Sequence, residues 1–210
     1  NRSNDGDARN ANAADPGDWV TSAESTSGPL AGCPVTNSRW HGTLMAGVIG
    51  ANANNGLKIA GINWTSKLLP VRVVGKCGGY TSDIADGIRW AAGIAVPLAP
   101  ANANPAKVIN VSLATVSPTC DTTGAFQSAI DQATGAGATI VVAAGNGNGA
   151  AANQYAPGNC SNVITVGATD SAGNLPSYAN TGSPIALSAP GGVGTGPGSV
   201  LTLSDGGTQG

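Results

Sequence analysis

Thr139-Ile-Val-Val-Ala-Ala144 is a near-continuous apolar run that ends abruptly in Gly145-Asn-Gly-Asn-Gly149. A short run of this kind, bounded by a turn signal, reads as a strand buried on both faces. Its neighbours repeat the theme. Upstream, Asp121 through Ala133 puts Phe126, Ala129, Ile130 and Ala133 on one helical face, and Val108-Ile-Asn-Val-Ser-Leu113 is a second strand. Earlier still, Ser82 through Ala92 carries Ile84, Ile88 and Ala92 at helical spacing, with Ser82 placed to cap it. Leu69-Pro-Val-Arg-Val-Val74 reads as a buried strand, and Val163-Ile-Thr-Val166 as a fourth. Apolar strands alternating with helices predict an α/β fold: a three-layer, doubly wound sandwich with a mostly parallel central sheet. No repeat or linker divides the chain, so residues 1–210 are expected to form a single domain. Residues 1–38 show no convincing period, and residues 190–210 read as loop.

The bulk composition narrows the function. The chain has 210 residues, enough to bury a real core, and its apolar 41% is accompanied by 32 glycines, which suits close strand–helix packing. Charged residues are only 10% and the net charge is -2, so the basic stripe of a nucleic-acid binder is missing. No uninterrupted apolar stretch is long enough to span a membrane. The first residues are polar, so any export signal is expected to be already removed or to lie outside the chain. Cys33, Cys77, Cys120 and Cys160 form no closely spaced pair and sit apart from the single histidine, which argues against zinc and favours two disulfides, with free thiols as the alternative. Three pairings are possible on spacing alone. Disulfides point to an oxidising compartment, hence to a secreted or periplasmic protein.

His41 opens a small-residue segment, Gly42 through Ala51, in which Gly42, Ala46, Gly47 and Gly50 permit close packing. An imidazole in the first turn of such a helix would be held in one orientation, as a general base requires. A lone histidine is ordinarily structural, so the segment by itself is only suggestive. The glycine turn after Ala144 has two chemical readings. Gly145, Gly147 and Ala150 satisfy a dinucleotide fingerprint, with Asp170 twenty residues beyond. That reading fails for want of a helix, because Pro157, Gly158 and Cys160 interrupt the following segment. The other reading is an oxyanion hole in which Asn146 presents its carboxamide to a developing negative charge. An ordinary turn is the plainer alternative.

Taken in order, His41-Gly-Thr43, Val108 through Leu113, Val141-Val-Ala-Ala-Gly-Asn146 and Ser188-Ala-Pro-Gly191 resemble the subtilisin-like serine proteases over essentially the whole chain. The resemblance is strongest to the secreted bacterial branch with disulfides, in Asn4-Asp-Gly through Asp15-Pro-Gly-Asp-Trp19, in Cys77 through Asp83 and in Ala101 through Pro105. It implies a subtilisin-like fold and peptide-bond hydrolysis by an Asp/His/Ser triad. His41 would be the general base and later acid, and Asn146 the oxyanion donor. Gly78, Gly79 and Tyr80 on one side, and Ser112, Leu113 and Ala114 on the other, would pair with an extended protein or peptide substrate. Ala144 and Gly145 would wall the specificity pocket. The implied disulfides are Cys33 to Cys77 and Cys120 to Cys160. The resemblance further implies a secreted monomer with no nucleic-acid or membrane partner.

Asp5, Asp7, Asn10, Asn12 and Asp15 alternate hard oxygen donors in a polar stretch. By themselves they could be a solvated loop; with the resemblance they imply a structural Ca²⁺ site. The branch often carries Asp where Asn10 and Asn12 stand here, which would weaken such a site.

Several departures accompany the resemblance. The family's Asp-Thr/Ser-Gly motif upstream of the histidine is missing from the 210 residues, as is its Gly-Thr-Ser-Met-Ala motif downstream. Asp170-Ser-Ala-Gly173 lies in the wrong order to replace the first, and Gly207-Thr-Gln209 does not match the second. The chain is therefore expected to be the central portion of a catalytic domain, incomplete at both ends, carrying the His and Asn but not the Asp and Ser. A non-catalytic protein retaining the fold and its peptide groove is the alternative. Leu44 stands where the family usually repeats a histidine, and Ala114 where it usually has glycine, adding a methyl group at the pocket edge.

Overall fold

The computed structural model describes residues 9, 12–121, 123–194, 196–207 and 209. Backbone packing divides the chain into two compact units, one of residues 1–87, 95–101 and 201–210, the other of residues 88–94 and 102–200.

The second unit holds the sheet. Strands β1 (Val108–Val111), β3 (Thr139–Ala143), β5 (Ile164–Thr169) and β6 (Leu187–Pro190) lie in the order β1-β3-β5-β6, every neighbouring pair parallel. The run Thr139–Ala143 is thus an interior strand, with ladders on both sides. Ile140 and Val142 are almost wholly buried. Helix α4 (Ala125–Gly135) makes the crossover from β1 to β3 and buries Phe126, Ala129, Ile130 and Ala133, the face that periodicity assigns. A two-stranded antiparallel ribbon, β2 (Thr115–Val116) with β4 (Tyr155–Ala156), flanks the exit of β1.

Three local expectations change. Asp121 is not helical; its carboxylate accepts the backbone N–H groups of Thr123 (2.8 Å), Ala125 (2.9 Å) and Phe126 (2.5 Å). Asp121 therefore satisfies the orphan donors that begin α4. Burial pushes its pKa upward, but the bonds from Phe126, Thr123 and Ala125 outweigh this and leave it below the ordinary value. Ser82 does not cap its helix: α3 spans Thr81–Ala91, and the Tyr80 carbonyl accepts the N–H groups of Asp83 (3.0 Å) and Ile84 (3.1 Å). Among the described residues Leu69–Val74 belongs to no strand ladder. Strand β6 has no sequence expectation behind it. Leu187-Ser-Ala-Pro190 lacks an apolar run, and its proline is tolerated because β6 ends the row of described strands.

In the first unit, α1 (Ser22–Thr26) is too short for periodicity to reveal, but it carries a complete capping box. The Glu24 N–H donates to Thr21 Oγ1 at 3.3 Å, and the Thr21 N–H donates to Glu24 Oε2 at 2.9 Å. Val20, Leu30 and Cys33 form a small core with Cys77 packed against it. Lys76, only 3% exposed, donates from Nζ to Glu24 Oε1 at 2.8 Å and lies 4.1 Å from the Trp19 ring centroid. Both ends of this buried cation are therefore compensated. The Arg9 guanidinium reaches Asp83 (3.0 Å) and Asp86 (2.7 Å), tying residue 9 to the start of α3. Disulfides join Cys33 to Cys77 and Cys120 to Cys160. Among the described residues no helix is long and apolar enough to cross a membrane.

Candidate active site

His41 is the first residue of α2 (His41–Gly50). The preceding Trp40 is held at φ 52°, ψ 30°, an unusual left-handed conformation for a bulky residue. Its indole is buried and donates Nε1–H to the Gly207 carbonyl at 2.6 Å. Farther along α2, Thr202 Oγ1 donates to the Leu44 carbonyl at 2.6 Å. A methyl group on Gly47 would meet Thr202 Oγ1 and come within 2.7 Å of the Leu203 nitrogen. The small-residue expectation thus holds strongly at Gly47, the one fully buried position of α2. It fails at Gly42, where an added methyl would meet nothing. The helix as a whole is half-buried rather than sunk in the core.

His41 is exposed, and its ring makes no hydrogen bond among the described residues. Atoms around the imidazole nevertheless remove enough water to lower its pKa below 6.5; Arg39 lowers it further, and Asp18 partly offsets both. The neutral form, the one able to accept a proton, is favoured.

Gly78, Gly79 and Tyr80 occupy the same unit. The N–H groups of Gly75 and Gly78 donate to each other's carbonyls at 3.1 and 3.2 Å, closing a turn that contains disulfide-bonded Cys77 at φ 61°. Gly79 has no room for a side chain because Val73 O lies 2.5 Å from where a Cβ would sit. Tyr80 is 58% exposed at the mouth of α3.

In the other unit, β1 runs into Ser112-Leu113-Ala114 and β3 runs into Ala144-Gly145-Asn146. The parallel register Val111↔Val142 sets these two exits side by side at the carboxyl ends of the strands. Crevices that take ligands in open parallel sheets form at such ends. Ser112 Oγ accepts from Asn110 Nδ2 at 2.8 Å; Leu113 is half-buried and Ala114 exposed. Ala144 is buried, and its N–H continues the ladder to Val166 O at 2.9 Å. Gly145 takes φ 97°, which a residue with a side chain adopts only with strain. The Asn146 carboxamide is exposed and makes no hydrogen bond among the described residues.

Asn180 went unnoticed in the sequence. It is 1% exposed and grips the turn at three points: Nδ2 donates to Ala144 O at 2.9 Å, the Asn180 N–H donates to Gly145 O at 3.2 Å, and the Gly147 N–H donates to Oδ1 at 2.6 Å. Tyr178-Ala-Asn-Thr-Gly182 reads as polar loop, and no spacing pattern in a single sequence singles out its asparagine.

Asp170 closes its own loop, accepting the N–H groups of Ala172 and Asn174 at 2.8 Å each. Among the described residues no α-helix follows Gly145-Asn-Gly147, only a three-residue 3₁₀ turn at Ala152–Gln154. The dinucleotide reading therefore has no helix terminus to offer a pyrophosphate.

Residues 8–209 match the profile of the subtilase family, Peptidase_S8. The chain belongs to the subtilase family. It is 50% identical over 187 residues to an extracellular protease of Xanthomonas campestris pv. campestris, covering 89% of this chain and 31% of that protein. It is 43% identical over 187 residues to an extracellular basic protease of Dichelobacter nodosus, covering 89% of this chain and 30% of that one. The chain thus spans under a third of the length of these curated relatives. Among solved structures, a protease from Pseudoalteromonas arctica superposes with a TM-score of 0.89 at 43% identity, covering 98% of this chain and 59% of that one. A cold-adapted subtilisin-like serine proteinase matches with a TM-score of 0.57 at 32% identity, covering 72% and 49%. The subtilase α/β fold, with its mostly parallel sheet, is the one expected from the alternation of strands and helices.

Of the residues expected from the sequence to offer oxygen ligands to calcium, Asp5, Asp7 and Asn10 lie outside the described residues. Asn12 and Asp15 are exposed, and each uses Oδ1 to accept a nearby amide, from Ala14 at 3.0 Å and Gly17 at 2.9 Å. Among the described residues no three His, Cys, Asp or Glu side chains cluster.

Proposed function

We propose that this chain is part of the catalytic domain of a secreted serine endopeptidase, in which His41 is the general base and acid and Asn146 donates to the tetrahedral oxyanion. The observation that carries the reading is the Asn146 carboxamide, presented without an internal partner from a rigidly held turn at the carboxyl end of an interior parallel strand. A donor left unpaired there is available to a charge that develops only in the transition state. In subtilisins the loss of such a donor costs about 10²–10³-fold in kcat. The triad's aspartate and serine are assigned to segments outside these 210 residues, in keeping with the share of the relatives that the chain spans. With them, His41 would take the serine proton during attack and return it to the leaving amine.

Substrates are proteins or peptides in extended form; the backbone edge of Gly78–Tyr80 in one unit and that of Ser112–Ala114 in the other are each assigned to pairing with substrate, and Ala144 and Gly145 to walling the side-chain pocket. Secretion is supported by the two disulfides and by the extracellular relatives. The family profile runs through both compact units, which supports one catalytic domain. The enzyme is proposed to act as a monomer. The oxygen chemistry of Asn12 and Asp15, with that of Asp5, Asp7 and Asn10, suits a structural Ca²⁺.

The test is labelling of the purified protein from its source with a serine-directed fluorophosphonate, read together with its intact mass. Labelling on a chain well above 20.3 kDa is expected. A folded protein of about 20.3 kDa that takes up no label and hydrolyses no peptide contradicts the reading.

A further inference from the structure

We propose that Asn180 is the positioning residue of the oxyanion turn, holding the backbone on both sides of Asn146 so that the exposed carboxamide is pre-aimed. The proposal rests on the assignment of Asn146 as the oxyanion donor.

The turn Ala144-Gly-Asn-Gly-Asn-Gly149 contains three glycines in six residues and is intrinsically loose. An oxyanion donor is useful only if it is fixed before charge develops, because a donor that must be ordered during the reaction returns much of its benefit. Asn180 supplies that order. Its bonds fall on Ala144 O, Gly145 O and the Gly147 N–H, which are the three residues bracketing Asn146, and none falls on Asn146 itself. Both ends of its own carboxamide are used, so the group has one orientation in which donor and acceptor are satisfied.

The surroundings enforce this arrangement. A methyl group on Gly145 would come within 2.6 Å of Asn180 Nδ2, and one on Gly147 would lie 2.8 Å from Asn180 Oδ1 and would also meet the Tyr155 hydroxyl. The flanking loop extends the zipper, with Asn148 N–H donating to Tyr178 O and Gly149 N–H to Ala179 O, each at 3.0 Å. Asn is therefore specific here. Asp would turn a carboxylate oxygen toward the Ala144 carbonyl and lose that donor, and Ala would leave Ala144 O and the Gly147 N–H unpaired inside the protein.

The experiment is a double-mutant cycle in the full-length enzyme, with Asn180→Asp and Asn180→Ala each made alone and in an Asn146→Ala background. Steady-state kcat and KM are measured on a peptide substrate, and folding is checked by circular dichroism and Tm. Expected are a fall in kcat of about 10–100-fold for the Asn180 variants with KM within about twofold. In the Asn146→Ala background the same substitutions should cost less than about threefold. An unchanged kcat in folded Asn180 variants overturns the proposal, as does a full multiplicative loss in the Asn146→Ala background. If Asn146→Ala alone leaves kcat unchanged, the oxyanion assignment itself has failed, whatever Asn180 does. Should both Asn180 variants fail to fold, hydrogen exchange of the unsubstituted protein decides. A Gly147 amide protected like those of β3 is expected, and exchange at the rate of an exposed loop overturns the clamp.

Discussion

Asp18 holds Arg39 through both backbone and side chain: Oδ1 accepts the Arg39 N–H at 2.8 Å, and Oδ2 accepts Nε at 2.8 Å and pairs with Nη2 at 2.7 Å. This pair stands two residues before His41, and its two charges act on the imidazole in opposite directions.

The first prediction concerns that balance. Desolvation and then Arg39 lower the His41 pKa below 6.5, while Asp18 raises it. Arg39→Gln should therefore raise the value, and Asp18→Asn should lower it. Proton NMR titration of the imidazole in this chain checks both signs. A His41 that titrates above 6.5 in the unsubstituted chain contradicts the description.

A second prediction concerns acid stability. The hydrogen bond from Lys76, then those from Thr21, hold the Glu24 carboxyl down to about 2, against an ordinary 4.5. The unfolded group takes up its proton near 4.5 and the folded group only near 2. The stabilisation from Glu24 is therefore full above 4.5 and is lost as the pH falls from there towards 2. Glu24→Gln should flatten this part of the acid limb, as read by urea midpoints between those pH values. An unchanged acid limb counts against the Glu24–Lys76 pairing.

Gly47 supplies a third. Gly47→Ala places a methyl group against Thr202 and Leu203 and should destabilise the protein by about 1–3 kcal/mol. At Gly42, where the space is open, Gly→Ala should be neutral or slightly stabilising. Chemical denaturation of the two variants gives the comparison.

The disulfides supply a fourth. Replacing Cys120 and Cys160 by serine opens a bridge between residues 40 apart and should cost about 2–4 kcal/mol. The same denaturation measurement reads the loss.

Calcium gives a fifth. A chelator should lower the Tm of the full-length protein, and Asp15→Asn should reduce the size of that shift. A Tm indifferent to the chelator rejects the ion site.

Much of the architecture was legible because apolar runs and helical spacing are local signals. Thr139–Ala143 is apolar on both faces and became an interior strand, while Phe126, Ala129, Ile130 and Ala133 share a stripe and became the buried face of α4. What escaped is what depends on distant partners or on short elements. Helix α1 has five residues, too few to show a period, and β6 draws its ladder from β5 rather than from its own composition. Leu69–Val74 has the composition of a strand but takes part in no described ladder. At the site, His41 and Asn146 stood out by motif, whereas Asn180 acts on residues 33 to 36 positions away and carries no local mark.

The most direct test of the central claim is the hydrolysis of an extended peptide substrate by the full-length protein carrying His41→Ala, with its fold verified by circular dichroism. Loss of the triad's proton carrier should remove nearly all turnover while leaving the folded spectrum intact. A correctly folded His41→Ala protein that retains appreciable turnover would show that His41 is not the general base.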